Sequence, residues 1–265
     1  MSEMLSFSFI QHALIGGFVI SVVFGFVSFF IVEQRLSFLT VGVAHAAFGG
    51  VALGILLGLS PYLTTVVFCL AVALLILKQV RENRADYDMV TGIFFAATMA
   101  LGIIFLSISK NYTFDIVGYL FGSILGIGGQ DLLIICVTAP LIALFFFLFF
   151  KELVAMTFDR EVAISAGIPV KGLEMWMIGA IALLIVISIK IIGIILVTAF
   201  LVLPASFALK YCRSYRSVIG VGILFSLVIF LSGFFLAYRF DLPAGATIVT
   251  LGTAIYLLPF RRKFN

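Results

Sequence analysis

The chain has 265 residues, of which 64% are hydrophobic and 11% are charged. A soluble domain carries about 25% charged residues, so this composition excludes a soluble enzyme and indicates a protein that is solvated by lipid. The net charge of +4 does not indicate a nucleic-acid partner, because membrane proteins collect Lys and Arg in their cytoplasmic loops.

Charged residues separate the apolar stretches, most of which approach the roughly 20 residues that a spanning helix needs. We predict an all-α, polytopic transmembrane helix bundle that forms a single domain over residues 1–265. Its spans, about nine in number, are predicted at 12–32, 38–58, 62–77, 89–109, 132–150, 173–189, 191–209, 217–238 and 244–260. Residues 111–130 are predicted to form an irregular outer segment, because a short helix there ends in the pair Gly128 and Gly129.

The basic residues predict the orientation of the bundle. If the carboxyl-terminal 261–263 is cytoplasmic, nine spans place 13 of the 16 Lys and Arg residues on that same side. Such an imbalance is typical of the correct topology. It places the amino terminus outside. The amino terminus is predicted on the opposite side if residues 111–130 also cross the membrane, or if one of the short predicted spans does not cross it.

The largest cytoplasmic loop, 151–172, contains the signals of a short helix. Asp159 is a typical N-cap, Gly167 lies where a helix commonly ends, and Pro169 follows. Between the caps lie Glu161 and Ala163. A capped helix at the membrane face suits docking of a cytoplasmic partner. An incidental helical turn in a loop fits the same pattern.

His45 lies inside the second predicted span, where polar residues are costly and often functional. At helical spacing its neighbours are Gly42, Phe48, Gly49 and Ala52, so a mostly small-residue face packs on another helix or lines a narrow passage. Neutral imidazole is the commonest metal ligand in proteins. A structural His, bonded to a backbone carbonyl across a helix pair, is the alternative.

Polar residues near the predicted outer face are few. His12 lies at the outer end of the first span, where an interfacial position accounts for it. Asp115, Asp131 and Asp241 make that face locally acidic, which suits a cationic solute or a basic docking surface. Asp131 and Asp241 are also candidate helix caps.

Pro204 lies within an apolar stretch, where a proline frees a carbonyl one turn earlier and kinks the helix.

The sequence lacks a phosphate-binding Gly-rich loop, so the chain is not its own ATPase. It also lacks an intramembrane carboxylate pair and a catalytic pair, which argues against a proton-coupled pump and against a membrane-embedded enzyme. An ion-gradient-driven secondary metal transporter or channel is one function that these observations leave open, as the alternative to a transporter that a separate ATPase drives.

Four stretches, at 43–54, 119–125, 193–205 and 241–249, resemble the ABC-3 family and occur in that family's order. Together with the loop at Phe158 and Asp159 they extend over nearly the whole chain. The family comprises the membrane subunits of bacterial ATP-driven importers of zinc, manganese and ferrous iron.

The resemblance implies a permease of the metal-chelate/cobalamin-type architecture in a bacterial-type plasma (inner) membrane. It implies a homodimer, a cytoplasmic ABC ATPase dimer, an extracytoplasmic metal-binding protein and a divalent metal as transported substrate, with no permanently bound cofactor. Zinc is the favoured metal, with manganese or iron as alternatives. Manganese is supported least, because family members often carry an acidic residue one turn before the His and this chain has Val41.

The resemblance also implies roles for individual residues. His45 is the implied metal ligand. The implied contacts of the ATPase are Asp159, Glu161, Ala163 and Gly167, and the matching stretches hold the implied pathway or structural residues Gly49, Pro204, Asp241 and Pro243.

Overall fold

The computed structural model describes residues 8–109 and 128–258, and every regular element in them is an α-helix. The all-α prediction is confirmed. Of the predicted outer segment, residues 111–127 lie outside the described residues. The helices are α1 (Ser8–Glu33), α2 (Ser37–Leu57), α3 (Pro61–Asn83), α4 (Tyr87–Ile108), α5 (Gly129–Leu148), α6 (Phe150–Phe158), α7 (Arg160–Ser165), α8 (Val170–Leu209), α9 (Tyr215–Phe240) and α10 (Ala244–Leu257).

Seven helices in the described part of the chain are long and apolar enough to cross a membrane, compared with the nine or so predicted. Two elements account for the difference. Helix α8 counts once, although it contains two of the predicted stretches. Helix α10 has 14 residues, fewer than the roughly 20 that a spanning helix needs.

Helix α8 is broken at Gly193, whose backbone angles (φ 79°, ψ 162°) are not helical. Glycine adopts positive φ at little cost. The 40 residues of α8 correspond to about 60 Å of helix, which is twice the thickness of a hydrocarbon core. The break therefore divides an element that is too long for a single crossing.

Both ends of α8 lie beside the carboxyl end of α1. Met177, near the start of α8, accepts a hydrogen bond from Gln34, which follows α1. Tyr215, just beyond the end of α8, lies 6.0 Å from the ring of Phe150, which lies 5.9 Å from the ring of Phe30 in α1. The chain therefore reverses direction at Gly193, and α8 crosses the bundle twice.

We call the end of the bundle beside the carboxyl end of α1 the inner end, because it carries most of the basic residues. Of the described Lys and Arg residues, Lys190 and Arg239 lie at the opposite, outer end, and α1 begins at that outer end. This arrangement agrees with the predicted orientation. The inner-end residues are Arg35, Lys78, Arg81, Arg84, Lys151, Arg160, Lys171, Lys210, Arg213 and Arg216.

Helix α2 packs most extensively against α3 and α4, and its glycines allow the close approach. A Cβ atom added at Gly49 would lie 2.9 Å from the Thr98 carbonyl oxygen of α4. One added at Gly50 would lie 2.7 Å from Thr65 Cα of α3. Small residues at such positions let helix backbones meet. The small-residue face predicted around His45 is therefore a helix-packing face.

Candidate functional site

His45 makes one hydrogen bond in the described structure, and it lies within α2. Nδ1 is 2.9 Å from the backbone oxygen of Val41, one turn earlier. A carbonyl only accepts, so Nδ1 donates its hydrogen and Nε2 carries a free lone pair. Among the described residues Nε2 has no hydrogen-bond partner. Metal-ligating histidines commonly donate their other ring N–H to a carbonyl in this way.

The ring of His45 lies at the interface of α2 and α4. It is half-buried, and its centroid is 5.1 Å from that of Phe95 in an edge-to-face arrangement. The structural alternative placed the imidazole's bond across a helix pair, whereas the observed bond stays within α2. Nε2 therefore keeps no hydrogen bond among the described residues.

The described residues contain no group of three or more His, Cys, Asp or Glu side chains that is arranged to hold a metal ion. Position 41, one turn before His45 on the same helix face, is occupied by Val41. A carboxylate at that position would add a second ligand. One imidazole binds a divalent ion weakly, which suits an ion in transit. His12 lies half-buried near the outer end of α1.

Helix α7 has the predicted N-cap. The Asp159 carboxylate accepts hydrogen bonds from the backbone N–H of Glu161 at 2.9 Å and of Val162 at 3.0 Å. These bonds satisfy two of the amide groups that every helix leaves unpaired at its start. The cap fixes where α7 begins in the loop 151–172.

The carboxyl end of α7 is also capped as predicted. Gly167 has φ 81°, and its N–H bonds the Ile164 carbonyl at 3.0 Å. The N–H of Ile168 bonds the Ala163 carbonyl at 3.1 Å. This pair of bonds around a left-handed Gly is the Schellman motif. The predicted short helix therefore exists, with defined ends.

The two sides of α7 differ in burial. Ala163 is fully buried, so a small residue there lets the helix lie close to the rest of the chain. Val162 and Ile164 are 61% and 56% exposed. Exposed apolar residues on a capped helix at the inner end are typical of a protein-binding surface.

A buried carboxylate, Glu174, holds α7 to the spanning helices. It is 5% exposed, and its Oε2 accepts from Nη2 of Arg81 at 2.8 Å and from Nη2 of Arg160 at 2.9 Å. Its Oε1 accepts from the Tyr87 hydroxyl at 2.7 Å. We call these four residues the inner-end network. Hydrogen bonding to Glu174 raises the pKa of the Arg160 guanidinium, which is charged at physiological pH in any case.

The inner-end network connects the loop 151–172 with the helices around His45. Arg160 is the first residue of α7, Arg81 lies in the last turn of α3, and Tyr87 is the first residue of α4. Helices α3 and α4 both pack on α2. Sequence reasoning missed this network, although an acidic residue inside a predicted apolar stretch was the signal that could have found Glu174.

Pro204 lies buried in the second half of α8. The helix continues through it, and the non-helical residue of α8 is Gly193. The break at Gly193 therefore corresponds to the boundary between the predicted spans 173–189 and 191–209, and Pro204 lies eleven residues after it. The backbone of Pro204 faces α9, where a Cβ added at Gly222 would lie 3.6 Å from the Pro204 carbonyl carbon.

Of the two outer-face acids predicted as candidate caps, Asp241 is a helix cap and Asp131 is not. Asp131 lies in the first turn of α5, whose N-cap is Gly128, and pairs with Lys190 at 2.6 Å. Asp241 is the C-cap of α9 with φ 53°, and Pro243 is the N-cap of α10. Asp131 holds α5 against α8, and Asp241 forms the turn between α9 and α10.

The fold and the inner-end helix together define a class of protein. A polytopic helix bundle that presents a capped helix with exposed apolar residues at its basic end has the architecture expected of a membrane transport subunit that binds a separate cytoplasmic protein. The model of the ABC 3 transport family matches residues 6–263. The chain belongs to that family.

Relatives and a solved structure agree with this assignment. The chain is 31% identical to the manganese transport system membrane protein MntC of Listeria monocytogenes, over 97% of this chain and 91% of that protein. It is 28% identical to the high-affinity zinc uptake system membrane protein ZnuB of Haemophilus influenzae, over 97% of this chain and 99% of that protein. The structure of PsaBC from Streptococcus pneumoniae in complex with Fab matches with a TM-score of 0.84 and 32% identity, over 98% of this chain and 94% of that one.

Membership of the family confirms several predictions. The chain is a multi-pass membrane protein and the permease subunit of an ABC transporter. It is not an enzyme, because ATP hydrolysis belongs to a separate subunit.

Proposed function

We propose that this permease imports a divalent transition metal, with zinc as the metal that it suits best and manganese or iron as alternatives. His45 is the observation that carries the proposal, because its Nδ1–H is bonded to Val41 and its Nε2 is free. Imidazole suits zinc and iron, whereas carboxylate suits manganese. Named relatives transport manganese in one case and zinc in another.

The proposed assembly is a homodimer with a cytoplasmic ABC ATPase dimer and an extracytoplasmic metal-binding protein. One chain offers one imidazole at the α2–α4 interface. A second copy would bring a second His45 and so complete a weak site that releases its ion. The binding protein would deliver the metal to the outer end, where α1 begins.

The ATPase would act on the permease through α7. Its exposed Val162 and Ile164 would dock on the ATPase, with the capping residues Asp159 and Gly167 keeping the helix intact. The inner-end network would then transmit movement of α7 to α3 and α4. Those helices enclose α2, so the same movement would change access to His45.

Co-purification and uptake test the proposal. The chain, extracted in mild detergent, should co-purify with a nucleotide-binding subunit, and metal uptake should stop when that subunit is deleted. The alternative of an ion-gradient-driven carrier makes the opposite prediction, because its uptake would persist without the ATPase and fail with an ionophore. Persistence of uptake without any ATPase would overturn the proposal.

A further inference from the structure

A groove of about 590 Å³ opens at the inner end between α3, α7 and α8. Its rim is mostly basic and its floor is apolar. We call it the basic groove. Its lining residues are Leu74, Leu77, Lys78, Arg81, Glu82, Arg160, Lys171 and Met175.

The basic groove has two ammonium groups to offer an anion. Lys78 is 62% exposed and has only a long contact, at 3.8 Å, with Glu82. Lys171 is exposed, and its side chain has no ion pair within the described structure. With Arg81 and Arg160 the rim carries four cations against Glu82 and the adjoining Glu174. The groove is therefore complementary to negative charge.

An apolar cavity of about 490 Å³ continues from the basic groove toward the middle of the bundle. The two share Leu74 and Met175. Every residue that lines the cavity is apolar, and all of them come from the spanning helices α3, α5 and α8. Trp176, the single tryptophan of the chain, lines this cavity and is 67% exposed.

We propose that the basic groove binds an anionic phospholipid of the inner leaflet. Its phosphate would lie between Lys78 and Lys171, and an acyl chain would follow the apolar cavity. Basic pockets between spanning helices on the cytoplasmic side bind acidic lipid headgroups. An acidic segment of a soluble partner would satisfy the lysines but would leave the apolar cavity, which lies along the spans, unfilled. The continuous polar-to-apolar shape therefore favours a lipid.

Native mass spectrometry of the whole transporter tests the proposal. Wild type should retain phosphatidylglycerol and not phosphatidylcholine. The double variant Lys78→Gln/Lys171→Gln should retain phosphatidylglycerol about twenty-five-fold more weakly, from about fivefold for each lysine near an anionic headgroup. Lys151→Gln, which removes an exposed inner-end lysine outside the groove, should match wild type. Equal retention by all three proteins would overturn the proposal.

Two further measurements separate the possible ligands. Glycerol 3-phosphate in large excess should not displace the bound lipid, because it lacks the acyl chain; displacement would overturn the lipid assignment in favour of a phosphate site. The fluorescence of Trp176 is the emission that is lost in the variant Trp176→Phe. Phosphatidylglycerol with brominated acyl chains should quench this emission more strongly than brominated phosphatidylcholine does. Equal quenching by the two lipids would contradict a specific headgroup site.

Discussion

Arg160 donates to Glu174 at 2.9 Å, across 14 residues of chain. The bond joins the first residue of α7 to a carboxylate that is 5% exposed within α8. Because Glu174 also accepts from Arg81 and Tyr87, the helix proposed to meet the ATPase is bonded to α8 and, through Glu174, linked to α3 and α4.

Glu174→Ala should uncouple transport and destabilise the permease by about 3 kcal/mol, because it leaves two arginines without their buried partner. The measurement is the metal transported per ATP hydrolysed, together with thermal unfolding of the assembled transporter. Glu82→Ala is the matched control. Its pair with Lys78 is exposed and 3.8 Å long, so its loss should cost less than about 0.5 kcal/mol. The proposed role of the inner-end network fails if both variants keep the wild-type ratio.

Asp159→Ala should remove both capping bonds of α7 and cost about 1 kcal/mol of local helix stability. The expected result is weaker association with the ATPase, measured by co-purification yield. Asp159→Asn retains an acceptor oxygen and should restore association. If Asp159→Ala associates as well as wild type, the capped helix is not the docking element.

Gly49→Ala should destabilise the protein, because the added Cβ would meet backbone, the Thr98 carbonyl oxygen, at 2.9 Å. We expect a cost of about 1–3 kcal/mol from overpacking. Gly220→Ala is the control, because no heavy atom lies within 4 Å of its added Cβ and alanine favours helix by about 1 kcal/mol. Unfolding temperatures of the two variants should therefore move in opposite directions, and a parallel shift would contradict close α2–α4 packing.

Much of the fold follows from the sequence alone. The predicted span 12–32 corresponds to Ser8–Glu33, and 217–238 corresponds to Tyr215–Phe240, because charged residues end each apolar stretch. Both caps of α7 were also predictable, since they depend on local residue chemistry.

Other features depend on contacts that no local pattern encodes. Glu174 accepts a hydrogen bond from Arg81, which lies 93 residues away in the chain. The residues next to Glu174 in sequence give no sign of that partner. A break between the predicted spans 173–189 and 191–209 was expected, but its position at Gly193, where φ is positive, was not. The hydrogen bond from His45 to Val41 decides which ring nitrogen is free, and the sequence leaves that choice open.

Val41→Asp should shift metal preference toward manganese. Position 41 lies one turn before His45 on the same face of α2, so the new carboxylate would join the imidazole as a second, harder ligand. Competition of manganese with radioactive zinc during uptake measures the effect. Val41→Asn, which adds no charge, is the control. An unchanged ratio of zinc uptake to manganese uptake in Val41→Asp would indicate that the ion does not pass His45.

The most direct test of the account is ATP-driven zinc uptake by the reconstituted transporter carrying His45→Ala or His12→Ala. Loss of a metal-binding imidazole should lower uptake by about tenfold or more, with assembly unchanged, because the His45 side chain hydrogen-bonds only within its own helix. His12→Ala should transport normally. Near-normal uptake by both variants would contradict the proposal that the metal passes His45.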